Sequence, residues 1–139
     1  MAAALTLPLL LAACSKPFYP NPVSTPPPPV ADTLVSFSNQ IQPIFDSNCA
    51  VTGCHAGPTP QDGMSLVAGQ SYANLVNIPS IEVSNYDRVK PFYPDSSYLY
   101  FKITGNSIAG PRMPYLRPPL PDSLIQTVRT WIQQGARNN

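Results

Sequence analysis

The sequence predicts a small all-α domain of about four short helices joined by long proline-rich loops. Three observations carry this reading. The clearest periodic segment, residues 121–134, sets Leu124, Ile125, Val128, Trp131 and Ile132 on one apolar stripe at helical spacing. Three shorter apolar segments precede it, bounded by residues that start or stop helices. The 19 prolines and 7 glycines break the remainder into loops.

Taken in order, Leu5-Thr6-Leu7-Pro8-Leu9-Leu10-Leu11 is an apolar run too short to span a membrane. Leu11-Ala12-Ala13-Cys14 follows and resembles a bacterial lipobox, whose cysteine is lipidated and becomes the first mature residue. Residues 1–13 are therefore expected to be a signal peptide. Ser15, where some lipoproteins carry an inner-membrane retention aspartate, implies an outer-membrane anchor at Cys14, facing the periplasm or the cell surface. Residues 17–29 hold seven prolines, each fixing φ and removing a donor, so residues 14–30 read as an anchor and an extended stalk. A proline-rich recognition motif is the sharper alternative for this stretch.

The folded domain is expected over residues 31–139, a length that buries one modest core. Ser36 is placed as the N-cap of a first helix carrying Phe37, Ile41, Ile44 and Phe45, with Pro43 near its first turn. Residues 57–69 read as loop, and 70–76 as a short helix closed by Pro79. Residues 80–94 are irregular or weakly extended. Asp95 is placed as the cap of a third helix through Ile103, which Gly105 ends. Residues 110–119 are loop, and the last helix runs from Pro121 to Gln134 with Gly135 behind it.

Charged residues make up 11% of the chain and the net charge is +1. No basic face suggests nucleic acid, and no charge run suggests a solvated tail. Such a composition suits a domain that buries an apolar prosthetic group, as it suits many exported domains.

The chemistry concentrates in Cys49-Ala50-Val51-Thr52-Gly53-Cys54-His55, which contains the one histidine of the chain. Two thiols just ahead of a histidine can hold haem covalently. The thiols add across the porphyrin vinyl groups, and the histidine is set under the iron. The common form is C-x-x-C-H; here it is C-x4-C-H, which the chemistry tolerates because the loop only spans two neighbouring pyrrole edges. Three other readings stand beside it: a Cys49–Cys54 disulfide, a zinc site lacking an evident fourth ligand, and a Cys–His catalytic pair. A second axial ligand is usually methionine in cytochromes c. Met113, 58 residues beyond His55 in a proline-flanked loop, is the better placed candidate. Met64, nine residues beyond His55, is less able to cross the porphyrin, and either could be core filler.

The series Ile41-x-Pro43-Ile44-Phe45, Cys49…Cys54-His55, Gly63-x-x-Leu66, Pro94-Asp95-Ser96-Ser97-Tyr98-Leu99, Arg112-Met113-Pro114, Leu120-Pro121-Asp122 and Trp131-Ile132-x-x-Gly135-Ala136 resembles small c-type cytochrome domains. It looks most like those of bacterial exported proteins and lipoproteins, including the planctomycete-type domains, and spans residues 36–136. The resemblance implies a class I cytochrome c-like fold packed around one haem c per chain. It implies that Cys49 and Cys54 bind the haem covalently and that His55 and Met113 ligate its iron. The implied function is electron transfer with redox partner proteins, without enzymatic activity. The alternatives are a haem enzyme or sensor with an open axial site, and a haem-free, disulfide-bonded interaction lipoprotein. Arg112 either pairs with a haem propionate or is solvated. Tyr72, Tyr98, Tyr100 and Phe101 belong either to the haem wall or to ordinary core.

Overall fold

Pro121 opens the last helix with an extended backbone, which costs nothing because the first helical N–H groups have no intrahelical acceptor. The computed structural model describes Met1 and residues 33–139; Cys14, the signal segment before it and the proline-rich stretch lie outside the described residues. Among the described residues four α-helices follow one another: α1 (Gln42–Asn48), α2 (Ser71–Leu75), α3 (Tyr98–Thr104) and α4 (Asp122–Gln133). Short 3-10 turns occupy Gln61–Gly63, Pro94–Ser96 and Ser107–Ala109. Among the described residues β-pairing is confined to isolated bridges, so the fold is all-α.

The apolar stripe of α4 faces inward as its spacing predicts. Val128, Trp131 and Ile132 are buried, and Leu124 and Ile125 pack at the edge of the same core. The helix ends in a left-handed turn at Gly135 (φ 97°), where the Ala136 N–H bonds the Trp131 carbonyl at 2.9 Å. The positive φ favours glycine here, and an added Cβ would stand 2.7 Å from the tip of the exposed Phe92 ring, which would have to shift.

Against this helix packs the start of the domain. Ser36 caps it as expected, its Oγ accepting the Asn39 N–H at 3.2 Å. The first turn departs from expectation: Phe37–Ile41 is a π-helical turn that becomes α-helical only at Gln42. Pro43 accounts for this. It has no N–H for the Asn39 carbonyl, and its ring would crowd that group in a regular α-turn, so the wider turn relieves the clash. Phe37 then meets Trp131 and Tyr72 with ring centroids 5.3 Å away in both cases. Trp131 thus packs against the first helical segment, and its indole N–H donates to the Arg137 carbonyl at 2.9 Å.

A buried polar junction joins α1, α2 and the loop between them. Gln42 donates to Asp46 Oδ1 (2.7 Å) and the Leu66 carbonyl (3.1 Å), and accepts from the Ser71 hydroxyl. Each of these buried groups therefore has a partner.

Residues 80–94 are irregular, as expected. Asp95 is not the cap of α3; it is exposed within the 3-10 turn, 3.6 Å from Arg129. Ser97 occupies the N-cap position instead, without capping through its side chain. Its buried hydroxyl is engaged with the Lys90 N–H and the Tyr93 carbonyl, both at 2.9 Å. Pro94 sets this shift, because it starts its own tight turn and delays the helix.

The core prediction concerns Trp131, which is 1% exposed at the junction of first and last elements. Trp131→Ala should cost about 3–5 kcal/mol in urea unfolding followed by circular dichroism. Leu34→Ala, at an exposed side chain, should cost no more than about 0.5 kcal/mol.

Candidate functional site

Helix α1 delivers Cys49 at its C-terminal end, where the Cys49 N–H bonds the Phe45 carbonyl at 2.8 Å. The chain then folds back on itself. The Cys49 carbonyl accepts the N–H of Val51 (2.8 Å) and that of His55 (3.2 Å), while the Cys54 N–H reaches the Val51 carbonyl (2.8 Å). Gly53, at φ 84°, makes the reversal. The four residues between the thiols are thereby absorbed in a closed loop, and His55 returns beside the end of α1.

Two further backbone bonds hold the loop from below: Gln61 N–H to the Cys54 carbonyl (2.7 Å) and Leu66 N–H to the His55 carbonyl (2.8 Å). The His55 ring is fixed as well, with Nδ1 3.1 Å from the Met64 carbonyl. A carbonyl can only accept, so Nδ1 carries a proton, and in the neutral ring Nε2 carries the lone pair. This is the tautomer of a histidine ready to ligate a metal through Nε2.

Cys49, Cys54, His55 and Met113 all line one mostly apolar cavity of about 540 Å³. That size falls within the range of about 300–1,000 Å³ usual for small-molecule and cofactor sites. Leu66, Leu75, Leu99 and Ile103 supply apolar wall. Met113 belongs to the loop between α3 and α4 and is half-buried; its N–H bonds the Lys102 carbonyl at 2.8 Å. Met64 lines the same cavity, so the structure gathers both candidate methionines. Of the four aromatic candidates only Tyr98 borders the cavity. Tyr72 packs on Phe37, Phe101 on Tyr86, and Tyr100 lies 5.9 Å from the Arg129 guanidinium. Arg112 borders a separate shallow cleft beside Tyr100 and Asp122.

Both described cysteines are free thiols. Burial pushes the Cys49 thiol up to about 11, opposed by the positive charge of Arg117 and assisted by Cys54. It is therefore protonated at neutral pH. Among the described residues no group of three or more His, Cys, Asp or Glu gathers as a metal site, and no helix is long and apolar enough to cross a membrane.

The sequence did not point to the polar corner of the cavity. Glu82 accepts from the Tyr98 hydroxyl (2.5 Å) and from Lys102 Nζ (2.8 and 3.2 Å). Arg88 donates to the Asn74 and Asp62 carbonyls at 2.9 and 3.3 Å, and Arg117 to the Asn48 carbonyl at 3.2 Å. Glu82 comes from an irregular segment, so no periodicity or motif marks it.

The comparisons with known proteins add no assignment: no protein-family model matches the chain, and no curated protein or solved structure is detectably similar to it.

The Glu82 carboxyl is subject to opposing effects. Partial burial pushes it up, but hydrogen bonds from Lys102 and Tyr98, the Lys102 charge and an Asp62 contact together hold it below its ordinary 4.5. A carboxyl lowered on folding stabilises the protein above its unfolded-state value, and that contribution disappears as pH falls through the lower folded value. The stability difference between wild type and Glu82→Gln should thus shrink on going from about pH 7 to about pH 3. Urea midpoints of both proteins at each pH check this; a difference independent of pH would contradict it.

Proposed function

We propose that residues 31–139 form a monohaem c-type cytochrome that carries electrons, with a class I cytochrome c-like arrangement of its helices. The observation that carries this reading is the convergence of Cys49, Cys54, His55 and Met113 on one apolar cavity. The donor set suits the group: two thiols, one imidazole with a free Nε2 lone pair, and one thioether. Bound there, haem c supplies a one-electron ferric/ferrous couple at iron.

The side chains divide the remaining work. Cys49 and Cys54 would hold the group through two thioethers, since addition of an S–H across a vinyl double bond needs no oxidant. His55 would ligate through Nε2, with the Met64 carbonyl on Nδ1–H fixing the ring and increasing its basicity. Met113 would supply a thioether to the iron from a loop tied to α3. A thioether ligand favours the ferrous state relative to a second imidazole, and mostly apolar walls disfavour the extra charge of the ferric state, so both would raise the potential. In this reading the domain exchanges electrons with protein partners and hangs from an outer membrane by a lipid on Cys14.

The axial pair is tested by two substitutions in protein made with a working haem-attachment system. Wild type should show the weak near-infrared charge-transfer band of a Met–Fe bond when oxidised, and strongly shifted methionine methyl signals in NMR when reduced. Met113→Ala should abolish both, admit carbon monoxide to the ferrous protein and lower the midpoint potential. Met64→Ala should preserve all of these features, because what Met64 gives His55 is a backbone carbonyl. The reverse pattern would reassign the ligand to Met64. No change in either variant would remove methionine from the iron altogether.

A further inference from the structure

The loop that carries Met113 runs from the end of α3 to the start of α4 and is largely exposed on its surface. Ahead of Met113 its backbone is tied to the body at two carbonyls. One is Lys102 O, which accepts the Met113 N–H at 2.8 Å. The other is Ala109 O, reached by Lys102 Nζ at 3.0 Å and by the Tyr98 hydroxyl at 3.2 Å. Ala109 itself is buried against Tyr98 and Phe101.

Lys102 Nζ and the Tyr98 hydroxyl, both close to the Ala109 carbonyl, share a second partner, Glu82. The Tyr98 hydroxyl has a single proton and stands 2.5 Å from Glu82 Oε2, so the carboxylate takes it, and Tyr98 meets Ala109 through packing of its ring. Lys102 has three protons, enough for both Glu82 oxygens and the Ala109 carbonyl together. The Lys102 ammonium is mostly buried, its side chain 12% exposed, and an unpaired charge there would be costly. Glu82 thus decides where the Lys102 and Tyr98 side chains sit; Lys102 holds the Ala109 carbonyl by a hydrogen bond and Tyr98 packs on Ala109, in the stretch of loop leading to Met113.

We propose that Glu82 is a positioning residue for the sixth ligand: by clamping Tyr98 and Lys102 it holds the Met113 loop against α3. Glu82 acts through these two side chains and does not itself touch the iron. This rests on the reading of Met113 as axial ligand. Without Glu82 the loop has fewer ties, and Met113 is displaced more readily by an external ligand.

The test measures imidazole binding to the oxidised holoprotein by optical titration. Glu82→Ala should tighten imidazole binding roughly tenfold, and Tyr98→Phe, which removes the hydroxyl that fixes Glu82, roughly threefold. Glu82→Gln keeps an acceptor for Lys102 and should return most of the way to wild type. Asp95→Ala, which breaks an exposed ion pair away from the cavity, should bind imidazole as wild type does. If Glu82→Ala fails to fold, Tyr98→Phe still decides the matter: tighter imidazole binding supports the clamp and wild-type binding overturns it. Met113→Ala separates the two levels of the argument. Tighter imidazole binding in Met113→Ala, with Glu82→Ala and Tyr98→Phe both unchanged, would overturn the clamp alone. No gain in Met113→Ala, or no haem in the wild type, would overturn the ligand reading and the clamp with it.

Discussion

The double acceptance at the Cys49 carbonyl governs the geometry of this domain's chemistry. By bonding both Val51 and His55 N–H groups, it turns a seven-residue segment into a closed loop at the end of α1. A thiol, a second thiol and an imidazole are thereby presented from one short piece of chain. The position of that loop depends in turn on α1, which is seated by Ile41, Ile44 and Phe45 in the core and by Gln42 at the buried junction with Ser71. The packing of Phe37 on Trp131 closes the chain, bringing its first described helical turn against its last helix.

The cavity follows from what the helices leave unfilled. Four helices of five to twelve residues, joined by long proline-bearing loops, leave an apolar space that their own side chains do not occupy. A domain of this size has little core to spare, and a large apolar cavity forgoes dispersion and transfer energy. A bound apolar group that completes the core would recover those contacts. The polar groups at one corner, Glu82, Lys102 and Tyr98, satisfy one another within the wall instead of facing the apolar space unpaired.

Much of this was legible in the sequence, and what was not has physical reasons. Helix α4 could be read because its period, the proline before it and the glycine behind it agree. The N-cap at Ser36 was readable from local rules, whereas the π-turn behind it arises from a backbone clash that apolar spacing does not encode. Asp95 looked like a cap until the hydroxyl of Ser97 and the turn at Pro94 displaced the start of α3. Cys49, Cys54 and His55 form a local motif and were visible at once. The partner of His55 is a backbone carbonyl, to which the identity of Met64 gives no clue. The Glu82 contacts to Tyr98 and Lys102 cross 16 and 20 residues from a segment without periodicity.

The central claim is covalent attachment of one haem through the two thiols, and denaturing intact mass spectrometry tests it most directly. Protein produced alongside a haem-attachment system should retain the mass of one haem, and its pyridine haemochrome should be of the c type. Replacing Cys49 and Cys54 together by Ala should leave a chain of apo mass. A wild-type chain of apo mass, or one lighter by two hydrogens through a Cys49–Cys54 disulfide, would contradict the account.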